Sequence, residues 1–267
     1  MLESIRKELL NMTDKGNYAT FTAGLIPGCD NIIGVRQPVL KKYAKQLVRD
    51  CMHDNRNFRE LLSEPDVYYE ETLLRGYIIG MGTAKENDYE KAFKDLKNFI
   101  PLVNNWAVND GFCVEFRVMD NYRKEFLPYI TECIESGEEY RARIGLIMLL
   151  DHYLKVDKNG NKKTRMKRVT LDNMQETEVN GMYLDDILIL VNKDFSNYGY
   201  YTQMAAGWLI AECFVTFPGR TWEFLNDKDN MKLDELSYKK AIRKICESLT
   251  PDKDVKMLVR SGGIGNE

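Results

Sequence analysis

Apolar residues recur every three or four positions along most of the chain, the spacing at which side chains share one face of an α-helix. Within VRQPVLKKYAKQLVRD, for example, Leu40, Ala44 and Leu47 form such a stripe. The same spacing continues through later segments and predicts about a dozen helices joined by short loops. No convincing pair of strands is found. The sequence therefore predicts an all-α protein.

Several helix ends can be placed from individual residues. Pro38 is compatible with the first turn of a helix, where no backbone N–H is needed. Gly80 and Gly82 predict the end of the helix that begins in DVYYEETLL. A first helix is predicted through Ile5, Leu9 and Met12, and another over ENDYEKAFKDLKNFIPLV. The remaining predicted helices cover residues 104–118, 120–136, 138–154, 182–192, 199–217, 219–227, 233–249 and 251–260.

The chain length of 267 residues fits one extended domain of stacked helices. We expect a single domain over residues 1–267, built as an α-solenoid of about six antiparallel helix pairs with a concave binding face. No exact internal repeat is visible, so this expectation depends on the rhythm of the helix pairs. A compact helical bundle without repeats is the alternative.

Charge is distributed unevenly along the chain. The formal net charge is −3, yet residues 155–168 (the basic segment) hold seven Lys or Arg and one Asp. One interpretation is a solvated, mobile insertion over about 155–181. Another is a segment that binds phosphate groups, and a hairpin with MKRVTLDNM as one arm is a third. In the second case the candidate DNA-binding residues are Lys162, Lys163, Arg165, Lys167 and Arg168.

Neither a metal site nor a membrane anchor is expected. The six cysteines include no C-x-x-C pair and the chain has two histidines, so buried reduced thiols are favoured over zinc ligands. The N-terminal residues lack the apolar core of a signal peptide, and no run approaches the ~20 apolar residues of a membrane span. We therefore expect a cytoplasmic protein.

Four stretches, in this order, resemble the HEAT-like-repeat DNA alkylation repair family. They are GVRQPVLKKYAKQL (34–47), NNWAVNDGFC (104–113), EYRARIGLIMLL (139–150) and YYTQMAAGWLIAECFVTFP (200–218). None is specific alone, but their order and spacing together identify the chain as a member of that family. The resemblance implies a HEAT-like solenoid that binds duplex DNA.

The resemblance also implies a reaction and residues for it. Members of the family cleave the N-glycosidic bond of cationic N3- and N7-alkylated purines in duplex DNA, with no metal or organic cofactor. Asp110 matches the carboxylate that stabilises positive charge at the deoxyribose or aligns the attacking water. Trp106 and Trp208 match the aromatic residues at the lesion. Arg143 matches an arginine that holds backbone phosphate, and Arg36 of the first stretch is grouped with the DNA-binding residues.

Each of these residues also has an ordinary structural interpretation. Trp106 and Asp110 are four positions apart and share a helix face, but such a Trp often packs in a core and such an Asp often caps a helix. Arg143 could serve in a salt bridge, and MAAGWLIAECF could bury Trp208 fully. Three hypotheses follow: a DNA glycosylase that acts as a monomer, a nucleic-acid-binding relative without activity, and a protein-interaction scaffold.

The sequence also departs from the family pattern near the candidate site. The net charge is acidic, Asn109 and Gly111 flank Asp110, and Gln203 and Met204 stand where a basic residue would help to hold DNA. Neighbours such as Asn109 and Gly111 can change how the carboxylate of Asp110 is oriented.

Overall fold

The computed structural model describes residues 2–62, 64–175 and 181–262. The predicted all-α class is confirmed: this part of the chain contains thirteen α-helices and no strand, with extended pairing limited to three isolated bridges. The helices are α1 (Leu2–Asn11), α2 (Tyr18–Leu25), α3 (Gln37–His53), α4 (Tyr69–Glu86), α5 (Tyr89–Phe99), α6 (Trp106–Glu115), α7 (Arg123–Glu135), α8 (Glu139–Met148), α9 (Leu184–Val191), α10 (Tyr200–Thr216), α11 (Pro218–Asn226), α12 (Glu235–Glu247) and α13 (Lys253–Ser261).

Short helical turns fill several of the connections. They are the 3₁₀ turns Phe58–Leu62, Ile100–Leu102 and Arg117–Asn121, and a π-helical turn Leu149–Tyr153 that continues α8. Pro38 lies in the first turn of α3, as the sequence predicted. None of the described helices is both long and apolar enough to span a bilayer.

The prediction that Gly80 and Gly82 end a helix is wrong. The helix α4 continues to Glu86 and ends at Asn87, which has a left-handed backbone with φ of 52°. The glycines are needed for close packing instead. A Cβ at Gly80 would lie 2.8 Å from the carbonyl carbon of Glu115, and one at Gly82 would lie 2.5 Å from the ring of Phe58. Glycine inside α4 therefore lets neighbouring elements approach its backbone.

The chain forms two compact units, residues 1–122 and 123–267. In the first unit α4 is central and packs against α3, α5 and α6. Buried side chains such as Leu73, Phe99 and Phe112 fill the space between these helices. In the second unit α10 takes the central place, against α8, α11 and α12.

Helices two apart in the chain pack side by side within each unit. This holds for α4 with α6, for α8 with α10 and for α10 with α12. Stacked helix pairs produce such neighbours. The arrangement is consistent with an α-solenoid.

Two buried carboxylates at the start of α4 hold the preceding loops. The side chain of Glu70, 1% exposed, accepts hydrogen bonds from the backbone N–H groups of Ile33 (2.9 Å), Gly34 (2.6 Å) and Val35 (3.2 Å). Glu71 accepts from Val67 and Tyr68 N–H and from the Arg6 guanidinium. The G-V-R stretch before α3 is thereby fixed by α4.

The basic segment is held by backbone hydrogen bonds over its described residues. A tight turn pairs Val156 with Lys162. Further along, Met166 N–H donates to the carbonyl of Val215 (2.9 Å), and Val169 N–H donates to that of Thr250 (3.0 Å). MKRVTLDNM therefore forms no arm of this turn but runs beside α10 and the loop before α13. Residues 176–180 of the proposed insertion lie outside the described part of the chain.

Candidate functional site

Trp106 and Asp110 lie on the first two turns of α6, and both are half-buried. The helix starts at Trp106 because Asn105 caps it, its side-chain oxygen accepting from Val108 N–H at 3.0 Å. The indole Nε1 of Trp106 donates to the carbonyl oxygen of Leu25, at the end of α2, at 2.8 Å. The indole is therefore held from one edge, and the carboxylate follows one helical turn later.

The flanking residues of Asp110 set the position of α6. Gly111 faces α4, where an added Cβ would lie 2.7 Å from Leu73 Cδ1 and 3.2 Å from Tyr77 Cε1. Asn109 is fully buried on the opposite flank. The close approach of α4 at Gly111 and the burial of Asn109 thus place α6 against its neighbours with Asp110 half-buried.

Tyr77, which lies with Leu73 beside Gly111 in this contact, is a protonated phenol at neutral pH. Burial raises the pKa of Tyr77 to about 12, with a further contribution from the nearby negative charge of Glu115. A neutral hydroxyl group can donate a hydrogen bond but adds no charge.

Arg36 occupies the position just before α3 and pairs with other groups of the first unit. Its Nε lies 2.6 Å from Asp14 Oδ2, and its guanidinium lies 5.1 Å from the centre of the Tyr18 ring. The hydrogen bond from Arg36 is the main reason that the pKa of Asp14 lies below its ordinary value. The Arg36 side chain is still 59% exposed and can reach a further anion.

A groove rich in cations, which the sequence analysis missed, opens between α3, α4 and the end of α6. It has a volume of about 490 Å³. The cationic side chains that line it, here called the basic groove, are Lys41, Lys42, Lys45, Lys85 and Arg117. The one carboxylate in it is Glu115, 5% exposed, which pairs with Lys41 Nζ at 2.5 Å. The sequence pattern that could have indicated this groove is the cluster of Lys41, Lys42 and Lys45 inside the first motif.

In the second unit Arg143 is buried on α8, with 6% of its surface exposed. Its Nη1 donates to the carbonyl oxygen of Tyr201 in the first turn of α10, at 2.6 Å. Glu139, one turn earlier on α8, accepts from Tyr201 N–H at 2.7 Å. The two side chains thus join the start of α10 to α8.

Trp208 is half-buried rather than enclosed in the core. It lies on the narrow accessible side of α10 with Tyr201 and Met204, while most of this helix is buried. Its Nε1 donates to Glu212 Oε1 at 3.1 Å, and Lys244 Nζ lies 5.9 Å from its ring centre. Trp208 therefore has both a fixed edge and a cation beside one face.

The five basic side chains predicted to bind DNA in the basic segment are Lys162, Lys163, Arg165, Lys167 and Arg168. Lys162 and Lys167 are exposed, and Arg168 makes a long contact of 3.5 Å with Asp252. Lys163 Nζ lies 5.5 Å from the ring centre of Phe217. Arg165 differs, because both its Nε and its Nη2 are bound to Glu212. Sequence reasoning gave no indication of Glu212.

Gln203 and Met204, at the positions where a basic residue would help to hold DNA, serve the packing of α10 in different ways. Gln203 is 8% exposed and its Nε2 donates to Asp234 Oδ1 at 2.7 Å. Met204 is half-buried on the accessible side of the helix. Cations reach this side of α10 from other elements, through Lys244 and Arg165.

The structure brings the predicted residues together in two groups. Trp106 and Asp110 share α6, and Arg143 joins the start of the helix that carries Trp208. Among the described residues no group of three or more His, Cys, Asp or Glu is arranged to hold a metal ion.

Comparison with known proteins identifies the family. The family model described as DNA alkylation repair enzyme matches residues 5–245, which is most of the chain. A search of curated proteins finds no match to it. The ordered motifs, the all-helical fold and this match lead to one conclusion. The chain belongs to the DNA alkylation repair enzyme family.

Proposed function

We propose that this protein is a DNA glycosylase that hydrolyses the N-glycosidic bond of cationic N3- and N7-alkylated purines in duplex DNA, without a metal. The observation that carries the proposal is the pair Trp106 and Asp110, held on one helix within the matched family region. A half-buried carboxylate one turn from an aromatic ring suits a reaction in which positive charge moves from a base to its sugar.

The reaction requires little of the protein beyond a negative charge placed near the deoxyribose. When the bond between C1′ and the base nitrogen breaks, its electron pair leaves with the base and neutralises the positive charge there. The sugar becomes an oxocarbenium-like cation, which the carboxylate of Asp110 stabilises. Water adds to C1′ and gives up a proton to Asp110 or to solvent, leaving an abasic site.

The two tryptophans have roles that follow from their fixed edges. A cation over an indole face gains ~0.5–2 kcal/mol, depending on how far it is desolvated. Trp106 and Trp208 each use their N–H on a protein acceptor, Leu25 and Glu212 respectively. Their ring orientations are thus set before DNA arrives, which lowers the entropy lost on binding.

DNA binding must come from local cationic surfaces, since the net charge is −3. We assign this role to the basic groove, to Arg36 and Arg143, and to the exposed cations of the basic segment. We further propose a single α-solenoid over residues 1–267, with about six antiparallel helix pairs and a concave face towards the duplex. The protein acts as a monomer in this proposal.

A DNA-binding relative without glycosylase activity is the second candidate. The observation that favours it is the set of exposed cations in the basic segment, such as Lys162 and Lys167, which can bind phosphate groups whether or not Asp110 acts on the sugar. The same fold can retain binding and lose chemistry.

Incubation with duplex DNA carrying 7-methylguanine and 3-methyladenine tests these candidates. The glycosylase predicts released bases by chromatography and abasic sites cleavable by alkali, with product rising in proportion to protein. Salt-dependent binding without release would instead establish the second candidate. Absence of both would leave a protein-interaction scaffold.

A further inference from the structure

A buried carboxylate interrupts the apolar sequence of α10 one turn after Trp208. Glu212 lies in MAAGWLIAECFV and is 8% exposed. Burying a carboxylate is costly unless it is paired and hydrogen-bonded. Its presence in the central helix of the second unit therefore requires a structural reason.

Glu212 connects Trp208 to Arg165. Its Oε1 accepts from Trp208 Nε1 at 3.1 Å and from Arg165 Nη2 at 2.5 Å, and its Oε2 accepts from Arg165 Nε at 2.6 Å. Two parallel N–H···O bonds between a guanidinium and a carboxylate fix the plane of both groups. The carboxylate cannot rotate about its own axis without breaking one of these bonds.

Backbone contacts of the basic segment place Arg165 beside Glu212. The next residue, Met166, donates its N–H to the carbonyl of Val215, in the last turn of α10, at 2.9 Å. Lys163, two residues before Arg165, has its ammonium group over the ring of Phe217. The stretch from Lys163 to Met166 thus runs along the end of α10, with Arg165 directed at Glu212.

We propose that Glu212 is a positioning residue that fixes the indole of Trp208, and that Arg165 of the basic segment locks it in place. The role rests on the proposed glycosylase function, because it is the lesion-facing ring that must be oriented. Arg165 also neutralises a carboxylate that would otherwise repel phosphate groups beside Trp208. The basic segment then contributes to the site through Trp208 as well as through phosphate contacts.

The ring orientation is measured on a protein with Trp208 as its single tryptophan, made by Trp106→Phe and Trp222→Phe. Acrylamide quenching of Trp208 fluorescence should rise about twofold in Arg165→Met and in Glu212→Gln, because a less restrained indole samples further rotamers. Lys167→Met removes a neighbouring charge from the same segment and should leave quenching unchanged. The effect of Arg165→Met should disappear in the Glu212→Gln background, since one residue acts through the other.

Activity and binding are compared in the protein with all three tryptophans. Glu212→Gln should slow base release roughly tenfold or more, with DNA affinity retained, because misplacing a group that contacts the lesion costs rate. Arg165→Met should slow release while weakening DNA binding no more than Lys167→Met does. Melting curves confirm that each variant is folded.

The proposal is overturned if quenching of Trp208 is unchanged in both Arg165→Met and Glu212→Gln. It is also overturned if Arg165→Met and Lys167→Met behave alike in every assay, because Arg165 would then be a simple phosphate contact. If the parent protein releases no base, the proposed glycosylase function fails. The quenching comparison still decides whether Glu212 and Arg165 hold Trp208.

Discussion

Three buried glutamates each organise a part of the molecule through the groups that they bind. Glu70 accepts hydrogen bonds from backbone N–H groups. Glu71 joins Arg6 to the start of α4, and Glu212 joins Arg165 to Trp208. A buried carboxylate with several donors holds those donors in place, because losing one of them leaves its negative charge without compensation. These residues fix loops and rings that apolar packing alone would leave free to move.

Glu70→Gln should lower the free energy of unfolding by about 1–3 kcal/mol, because the amide group of Gln cannot accept all three N–H bonds with one oxygen. The matched control is Glu90→Gln, at the same second position of α5 but exposed. That change should cost at most about 1 kcal/mol, the value of a helix-end charge. Urea denaturation of both variants measures the difference, and equal losses would contradict the structural role of Glu70.

Glu71 predicts how stability depends on pH. Burial alone would raise the pKa of Glu71, but hydrogen bonds from Arg6, Val67 and Tyr68 outweigh it and hold the pKa below the ordinary value of 4.5. The stabilisation is therefore complete above pH 4.5 and is lost as pH falls through the lower folded-state pKa. Urea midpoints between pH 6 and pH 3 should fall less steeply in Glu71→Gln than in the parent. Parallel curves would show that Glu71 is not the group that titrates.

The sequence was sufficient for residues that share a helix and insufficient for partners distant in the chain. The four-residue spacing placed Trp106 and Asp110 on one face, because helix geometry is local. Nothing local indicates that Arg143 reaches the carbonyl of Tyr201. Nor does it indicate that Glu212 binds Arg165, which lies 47 positions away. Such pairings are set by how the helices pack.

At the scale of helices, the sequence likewise predicted the elements that have a local apolar pattern and missed the one that lacks it. The helices after residue 104 were placed to within a few residues, because apolar residues at helical spacing run through them and are mostly buried. The short helix α2 was missed because its large apolar side chains are exposed. Phe21 is 61% exposed and Leu25 46%, while Thr22 is buried. Its sequence therefore lacks the usual pattern, and contacts such as the hydrogen bond from Trp106 Nε1 to the Leu25 carbonyl hold it in place.

Gly80→Ala should destabilise the protein by about 1–3 kcal/mol, because the added methyl group would be forced into the backbone of α6. Its Cβ would lie 2.8 Å from the Glu115 carbonyl carbon and 2.9 Å from its oxygen. Gly24→Ala is the matched control in α2, where nothing lies within 4 Å of the added atom. That variant should gain about 0.5–1 kcal/mol from helix propensity. A neutral effect of Gly80→Ala in thermal unfolding would contradict the close packing of α4 on α6.

For the molecule as a whole, the distribution of cations matters more than the net charge of −3. The basic groove and the basic segment come from different parts of the chain. The cluster of cations in the basic segment was visible in the sequence. Of the groove, only the cluster of Lys41, Lys42 and Lys45 was visible in sequence, because Lys85 and Arg117 are brought to it from α4 and the turn after α6. Both surfaces are expected to contact phosphate groups.

The dependence of DNA affinity on salt tests these two surfaces. Lys45→Met/Lys85→Met in the groove and Lys162→Met/Lys167→Met in the segment should each reduce the log–log slope by about 1.8, roughly 0.9 for each phosphate group that the variant no longer neutralises. Lys228→Met/Lys232→Met removes the same charge from an exposed loop that also carries Asp227 and Asp229, and should leave the slope unchanged. A surface whose double variant behaves like this control does not bind DNA.

The most direct test of the central claim is single-turnover release of 7-methylguanine by Asp110→Asn. The carboxylate is expected to stabilise charge that exists only in the transition state, so release should slow by roughly 10²–10³-fold with DNA affinity unchanged. Asp229→Asn makes the same chemical change on an exposed loop and should release base at the parent rate. Release by Asp110→Asn at the parent rate would contradict the assignment of Asp110 as the catalytic carboxylate.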